Sequence, residues 1–272
     1  MNSVNKTLYI PLFGKAYVSR KGIILHDTKA EAIWAAEQFP LKGKSRSKWL
    51  AYFMGMRSAV FDRWTETTMR TVPDAVIVHI GCGMDSRAER IQGYLHQWYD
   101  LDFPDVIRER KRYYQESAQY HMIAADIRDS QWLAALPKAE RAIVLMEGVS
   151  MYLSAEALKS FLRALHSHFG QAQLLMDAYT EFAAKASKFK NPVRDVGVRS
   201  VYGLDDPKQL EDTGFLFRKA HEMTPDSLIC QLRGMEQVIF KKIYAGKLAK
   251  KMYRIYEYGT YGSKEEISYV SR

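Results

Sequence analysis

Five short apolar runs in this chain of 272 residues each give way to an acidic residue. Asp85 follows the run 75–80, Asp102 the run 96–101, Asp126 the run 120–125, Glu147 the run 141–146, and Asp177 the run 173–176. Carboxylates brought together can ligate a metal, accept hydrogen bonds from a ribose, or face a cation. After the first run the backbone must turn sharply through Gly81-Cys-Gly83, where the missing side chains let something approach closely. Asp85 and Ser86 then stand where an N-cap is expected, for a helix over 87–94. An apolar strand, a glycine turn and a helix N-terminus are the parts of a nucleotide-binding crevice at the carboxyl edge of an α/β sheet. Any tight strand–helix turn would need such glycines, so it is the acids that give this one its meaning.

The elements that must position these groups follow from periodicity. Residues 8–16 are apolar but interrupted by Pro11 and Gly14, which predicts an anchoring segment rather than a long element. Asp27 or Thr28 caps an expected helix over 30–38. Over 47–69, Leu50, Phe53, Met54, Val60, Phe61 and Trp64 recur at helical spacing, with Arg57, Asp62 and Arg63 between them. After the glycine turn, strands over 96–101, 120–125, 141–146 and 173–176 alternate with helices, one basic and starting at Pro104, one starting at Ser154. Such alternation implies a doubly wound, mostly parallel α/β sheet preceded by a helical N-terminal extension. Beyond Tyr179, a helix is expected over 181–189, turns over 191–207, and the last two strands over 215–221 and 267–270. The Tyr-rich stretch between those strands reads as an inserted helical cap.

Composition bounds the class. With 47% hydrophobic and 26% charged residues the chain has the make-up of a soluble globular enzyme. No apolar run approaches the roughly 20 residues of a membrane helix, and the N-terminus leads into no signal-like segment, so no membrane partner and a cytoplasmic location are expected. Two cysteines, Cys82 and Cys230, provide neither a disulfide framework nor metal-ligand spacing, and no metal is expected. His79, inside an apolar strand, reads as a satisfied core histidine. The net charge of +9 is spread over the chain with one cluster, Lys241, Lys242, Lys247, Lys250, Lys251 and Arg254. A solvated helix face explains that cluster more simply than a phosphate backbone or an acidic partner. Without a clustered basic and aromatic face on the sheet, nucleic acid is not the expected ligand.

A dinucleotide would want a small residue at position 86 and no carboxylate beside its diphosphate, whereas Asp85 precedes Ser86. The 21-residue step from Gly81 to Asp102 suits an acid that holds ribose hydroxyls. A ligand with a ribose, an amino group and a positive sulfonium fits an acid-rich crevice better, and S-adenosylmethionine is that ligand.

Four motifs then become recognisable in order: Gly81-Cys-Gly-Met-Asp-Ser-Arg87, Tyr99-Asp-Leu-Asp-Phe-Pro-Asp-Val106, Ala125-Asp-Ile-Arg128 and Met146-Glu-Gly-Val-Ser-Met-Tyr-Leu153. They resemble the leucine carboxyl methyltransferase family, over nearly the whole chain. The opening Pro11-Leu-Phe-Gly-Lys-Ala16 and the tail Lys250-Lys-Met-Tyr-Arg-Ile-Tyr256 look most like its bacterial branch of tetracenomycin-type polyketide O-methyltransferases. The resemblance implies a seven-stranded Rossmann-like class I methyltransferase sheet. It also implies one domain, with extension 1–72, cofactor core 73–180, and cap with last strands 181–272. By the same resemblance Lys15 and Arg57 would hold the methionine carboxylate of the cofactor, and Gly81, with Gly83 in the same turn, would pack against its methionine part. Asp102 would hold the ribose, Asp126 with Ile127 would border the adenine, and Glu147 would lie beside the amino group. Asp85 is expected as a helix cap or a cofactor contact. Asp100 competes with Asp102 on register alone, since alternate strand residues share a face; the motif favours Asp102. Lys15 stands where many bacterial relatives carry arginine, which keeps the charge and loses the fork geometry.

Methyl transfer from a sulfonium is an in-line displacement, so alignment and exclusion of water are the main demands. A carboxylate, with a pKa of about 4, needs no base, whereas a phenol, at about 10, gains from one. Tyr152 and Tyr179 follow the fourth and fifth strands and are expected to orient the acceptor. The expected activity is methyl transfer to an oxygen of a small acidic acceptor, a carboxylate or a phenol. Two other readings stay open: esterification of a peptide or protein C-terminus, and an RNA-binding or tRNA-modifying protein. The sequence gives no oligomeric state.

Overall fold

The structure, a computed structural model, describes residues 8–37, 39, 41, 43–91, 96–187, 200–247 and 251–260. Three helices come first: α1 (Tyr9–Arg20), α2 (Thr28–Ala36) and α3 (Lys48–Thr71). The core follows as β1 (Val76–Ile80), α4 (Arg87–Arg90), β2 (Trp98–Asp102), α5 (Pro104–Arg110), β3 (Tyr120–Ala124), β4 (Arg141–Met146), α6 (Ala155–His168) and β5 (Gln171–Tyr179). Then come α7 (Glu181–Ser187), β6 (Phe215–His221), α8 (Asp226–Ile229), α9 (Met235–Ile239) and β7 (Tyr253–Thr260). The seven strands form one sheet in the order β3-β2-β1-β4-β5-β7-β6, parallel except for β7, which runs antiparallel to both β5 and β6. The order reverses beside β1, so a crevice opens at the carboxyl ends of β1 and β4, where such sheets bind ligands.

The central strands are buried on both faces, and β1 and β4 accordingly read as unbroken apolar runs. One core lies beneath α6, with Val78, Val144, Leu162, Leu165 and Leu174 fully enclosed; another lies beneath α3, with Phe61, Ile77, Ile143 and Leu175. Helix starts follow their caps. Asp27 accepts from Ala30 N at 2.8 Å, Ser47 from Trp49 N at 3.3 Å, and Ser154 from Ala157 N at 3.2 Å.

Three expectations need correction. The stretch 8–16 is not a mere anchor but most of α1, because Pro11 sits in the first turn, where its missing N–H had no intrahelical acceptor anyway. Gly14 serves close packing: a Cβ there would stand 2.6 Å from Met54 Cβ of α3. The helix after the glycine turn stops at Arg90, and 92–95 lie outside the described residues. Among the described residues the last strand is β7, in the stretch read as helical. Its aromatic and β-branched residues favour a pleated surface, and it inserts between β5 and β6. The expected strand over 267–270 lies outside the described residues, as does most of the turn-rich 191–207. The inserted helical cap is present as α8, α9 and a π-helical turn over Phe240–Tyr244, whose Phe240 packs with Tyr52 and Met56 of α3.

Candidate active site

The crevice is a cavity of about 650 Å³, within the range of small-molecule sites. Of the residues expected there, Lys15, Arg57, Gly81, Gly83, Asp85, Asp102, Asp126, Ile127, Glu147, Tyr152 and Tyr179 all line it. The five strand-end acids divide, however. Asp177 is fully buried behind the wall, and four remain on the cavity.

The glycine turn forms because Gly81 and Gly83 both take positive φ, 63° and 52°, and Gly81 N–H donates to Leu101 O at 2.7 Å. A Cβ on Gly81 would overlap Val149 Cγ2. The turn presents Gly83 N–H to Asp102 Oδ2 at 2.8 Å, while Asp102 Oδ1 accepts from Phe103 N–H at 2.7 Å. Burial pushes the Asp102 carboxyl up against those two donors. Asp102 forms no ion pair among the described residues, so its remaining lone pairs suit hydroxyl donors such as a ribose diol. Asp100 has the other fate. It is wholly buried and bound by Arg110, His79 Nδ1 at 3.0 Å, Trp98 Nε1 at 2.8 Å and Tyr120 Oη at 2.6 Å, and it does not line the cavity. His79 is thus hydrogen-bonded core, as expected.

Beneath the cavity runs a buried ionic network that joins the helical extension to the sheet. Lys15 Nζ lies 2.9 Å from Asp85 Oδ1. Asp85 also caps α4 through Arg87 N at 3.1 Å and pairs with Arg87 and Arg90. Arg87, with no exposed surface, further binds Asp62 at 2.6 Å, Ser58 at 3.1 Å and Glu147 at 2.5 Å. Glu147 is shared with Arg57 Nε at 2.9 Å. Arg57 Nη1 reaches Asp177 Oδ2 at 3.0 Å and the Tyr253 hydroxyl at 3.2 Å. Arg57 Nη2 has no hydrogen-bond partner among the described residues. It lies under Gly148, whose left-handed backbone (φ 74°) leaves the guanidinium face clear; a Cβ there would stand 3.4 Å from Nη1. An open guanidinium edge and a half-buried acid with no cation, both on the one cavity, fit a ligand that carries a carboxylate and a ribose.

Asp126 is held differently, by Arg128 two residues on, and Ile127 packs against the core beneath α6. Cys82 is buried in the turn, where burial pushes its thiol well above the usual range, so it is packing rather than a nucleophile. The basic cluster is surface: Lys241 pairs with exposed Asp226, Lys242 and Lys247 are exposed, and Lys250 is outside the described residues. Among the described residues no group of three acids, histidines or cysteines could hold a metal, and no helix is long and apolar enough to cross a membrane.

Sequence reasoning missed Tyr253, because the strand that carries it was read as helical. Tyr253 lines the cavity with its ring edge-on to Tyr179, centroids 4.9 Å apart. It also missed that Asp177 serves Arg57; the register that pairs Tyr179 with Tyr253 becomes legible only once β7 is placed.

The network has a pH signature. Burial pushes Asp62, Asp85, Asp100 and Glu147 up, but their guanidinium and ammonium partners outweigh it and hold all four low, Asp100 at about 2. A carboxyl whose folded pKa is depressed stabilises above its unfolded value of about 4, and that contribution is lost as pH falls through the folded value. Thermal melts are therefore expected to show a melting temperature that drops steeply from about pH 4 to pH 2.

The model of the leucine carboxyl methyltransferase family matches residues 11–166, more than half of the chain. A relative from Streptomyces glaucescens, the tetracenomycin polyketide synthesis O-methyltransferase TcmP, is 27% identical over 241 residues, covering 87% of this chain and 89% of its own. A second, the S-adenosyl-L-methionine-dependent methyltransferase dpfgK of Gibberella zeae, is 31% identical over 185 residues, 62% of this chain and 61% of its own. In fold the chain is similar to a duf574 family protein from Streptomyces avermitilis (TM-score 0.58, 11% identity, 77% of this chain and 84% of that one). It is also similar to the magnesium protoporphyrin IX methyltransferase of Synechocystis, solved with bound SAH (TM-score 0.51, 14% identity, 94% and 99%). The chain belongs to the leucine carboxyl methyltransferase family: it is an S-adenosylmethionine-dependent methyltransferase with the class I fold.

Proposed function

We propose that this enzyme methylates an oxygen, of a carboxylate or a phenolic hydroxyl, on a small acidic acceptor. The observation that carries the reading is one cavity lined by two kinds of side chain. Its lining includes the charged side chains Lys15, Arg57, Asp85, Asp102 and Glu147 together with the apolar and aromatic Leu8, Ile10, Leu50, Phe53, Met151, Tyr152 and Tyr179. The charged groups suit the zwitterion and ribose of the cofactor, and the apolar and tyrosine side chains suit a flat or aliphatic acceptor body with a polar group to orient. The TcmP relative, a polyketide O-methyltransferase by name, supports an oxygen acceptor.

In this reading Arg57 and Lys15 take the methionine carboxylate and Glu147 the ammonium. The turn Gly81-Cys-Gly83 admits the methionine backbone, and Asp85 holds Lys15 in place. Asp102 accepts from the ribose, and Asp126 with Ile127 flanks the adenine. S-adenosylmethionine supplies an electrophilic methyl on a sulfonium. Tyr152 and Tyr179 orient the acceptor oxygen along the line of displacement, and the apolar wall excludes water. Extension 1–72, core 73–180 and cap with last strands 181–272 act as one domain, since residues from all three line the cavity.

Calorimetric titration with S-adenosylhomocysteine tests this. Wild type is expected to bind in the micromolar range. Asp102→Ala, which removes hydrogen bonds to a charged acceptor worth about 1.5–3 kcal/mol each, is expected to bind about a hundredfold more weakly. A folded wild type that does not bind would refute the proposal.

A further inference from the structure

Behind the cavity wall lies a buried acid that the cofactor reading uses only as a partner of Arg57. Asp177, near the end of β5, is fully enclosed, with Oδ1 on Gly148 N–H at 2.6 Å and Oδ2 on Arg57 Nη1 at 3.0 Å. The same Arg57 nitrogen donates to the Tyr253 hydroxyl at 3.2 Å, so the hydroxyl and the Asp177 carboxylate meet at one guanidinium nitrogen. Because Tyr253 accepts from Arg57, its own proton is left to donate, and Asp177 is the acid next to it. The Tyr253 oxygen keeps a second lone pair, and its side chain lines the cavity beside Tyr179, Tyr152 and Phe53.

Resting on the oxygen-methylation reading above, we propose that Tyr253 and Asp177 form a proton relay that serves a hydroxyl acceptor, with Tyr253 touching the acceptor oxygen and Asp177 positioned as the final proton sink. The acceptor hydroxyl donates to Tyr253 Oη, which donates to Asp177 Oδ2. As the acceptor O–CH3 bond forms, the methyl–sulfur bond breaks and its electron pair stays on sulfur. The acceptor's proton passes to Tyr253 Oη while the Tyr253 proton passes to Asp177, leaving an ether, a thioether and a neutral carboxyl. An oxygen that is gaining a methyl becomes oxonium-like, so its proton falls readily to a carboxylate even though a free phenol would hold it.

The surroundings set the two groups for these roles. Around Asp177 stand Arg57 from α3, Glu147 after β4, and Tyr253 from β7, with Tyr179 and Tyr152 beyond Tyr253. Burial pushes Asp177 up to about 6, against Arg57 and the Gly148 N–H, so it is ionised and basic at neutral pH. Burial, with Asp177 next to it, pushes the Tyr253 hydroxyl well above its ordinary value, so it passes a proton rather than serving as a phenolate.

Two measurements test the relay. Infrared difference titration of wild type against Asp177→Asn, with no acceptor present, is expected to show one protonated-carboxyl band that titrates near pH 6 and shifts in Tyr253→Phe. No such band, or one indifferent to Tyr253→Phe, overturns the pairing. With S-adenosylmethionine and the matched probes 2-naphthol and 2-naphthoic acid, wild-type kcat on 2-naphthol is expected to rise tenfold per pH unit up to about 6 and then level. Tyr253→Phe, with an unaltered circular dichroism spectrum, is expected to lower that kcat by about 10²–10⁴-fold, and Asp177→Asn to remove the inflection. Tyr253→Phe turnover within about threefold of wild type, or an inflection that survives in Asp177→Asn, overturns the relay. Methylation of 2-naphthoic acid alone also overturns it and leaves the proposed function standing. Only failure of wild type to bind S-adenosylhomocysteine strikes at that function itself.

Discussion

Replacing Arg87 with methionine is expected to lower folding stability by about 3–5 kcal/mol and the melting temperature by roughly 10 °C. Arg87 has no exposed surface and touches carboxylates from three elements: Asp62 of α3, Asp85 of the glycine turn and Glu147 after β4. Methionine fills similar volume, so a cavity is not the cause. The cost comes from leaving nearly buried acids short of a cation. Arg90 still serves Asp62 and Asp85, and Arg57 still serves Glu147, so the deficit is one charge rather than three. A control separates this from a generic loss of arginine. Arg108, three-quarters exposed and paired with Asp105 within one turn of α5, is expected to change stability by less than about 0.5 kcal/mol when made methionine. Chemical denaturation of both variants at pH 7 checks the pair; equal losses would mean that the buried network does not hold the extension to the sheet.

That network marks where legibility in the sequence ends. β1, its turn and β4 were readable because a strand buried on both faces must be apolar along its length, and a tight turn must spend glycine. Asp102 was only half readable: register left it level with Asp100, and the motif and its place at the strand end favoured it, while the structure puts Asp102 and not Asp100 on the cavity. Arg57 was not readable. A lone base amid an amphipathic helix has the pattern of a surface residue, and only the resemblance to a family singled it out. What buries it is the approach of β5 and β7, 120 and 196 residues further on. Tyr253 failed for a related reason: an antiparallel strand inserted last between two others has no alternating helix to announce it, and a Tyr-rich stretch after a helical cap has the look of more cap. Pro11 and Gly14 hid α1, because breaker residues are read by type before it is known that one sits in a first turn and the other against Met54.

Arg57 also allows stability and cofactor affinity to be pulled apart. Arg57→Met leaves the Asp177 carboxylate with the Gly148 N–H, and leaves Glu147 on Arg87. Asp177 already sits at about 6, so without its guanidinium it is expected to rise further and be neutral across the physiological range. A neutral carboxyl relieves the buried charge, but ionisation that wild type permits above pH 6 is then penalised. For an acid whose folded pKa lies above its unfolded value, stability is fullest at low pH and declines by up to about 1.4 kcal/mol per pH unit between the two values. Raising the folded value widens that window upward. The loss in Arg57→Met relative to wild type is thus expected to be small near pH 5 and to grow to about 3 kcal/mol by pH 8. Affinity follows another course. If Arg57 Nη2 binds the cofactor carboxylate, S-adenosylhomocysteine binding is expected to fall by about a hundredfold at every pH, including pH 5 where the fold is scarcely affected. Arg57→Lys, which restores charge without the fork, should recover much of the stability but little of the affinity, since one ammonium cannot reach Glu147, Asp177 and a ligand carboxylate together. Calorimetry and thermal melts on both variants at pH 5 and pH 8 decide it: affinity loss that tracks stability loss across the four conditions would mean that Arg57 only supports the wall and does not touch the ligand.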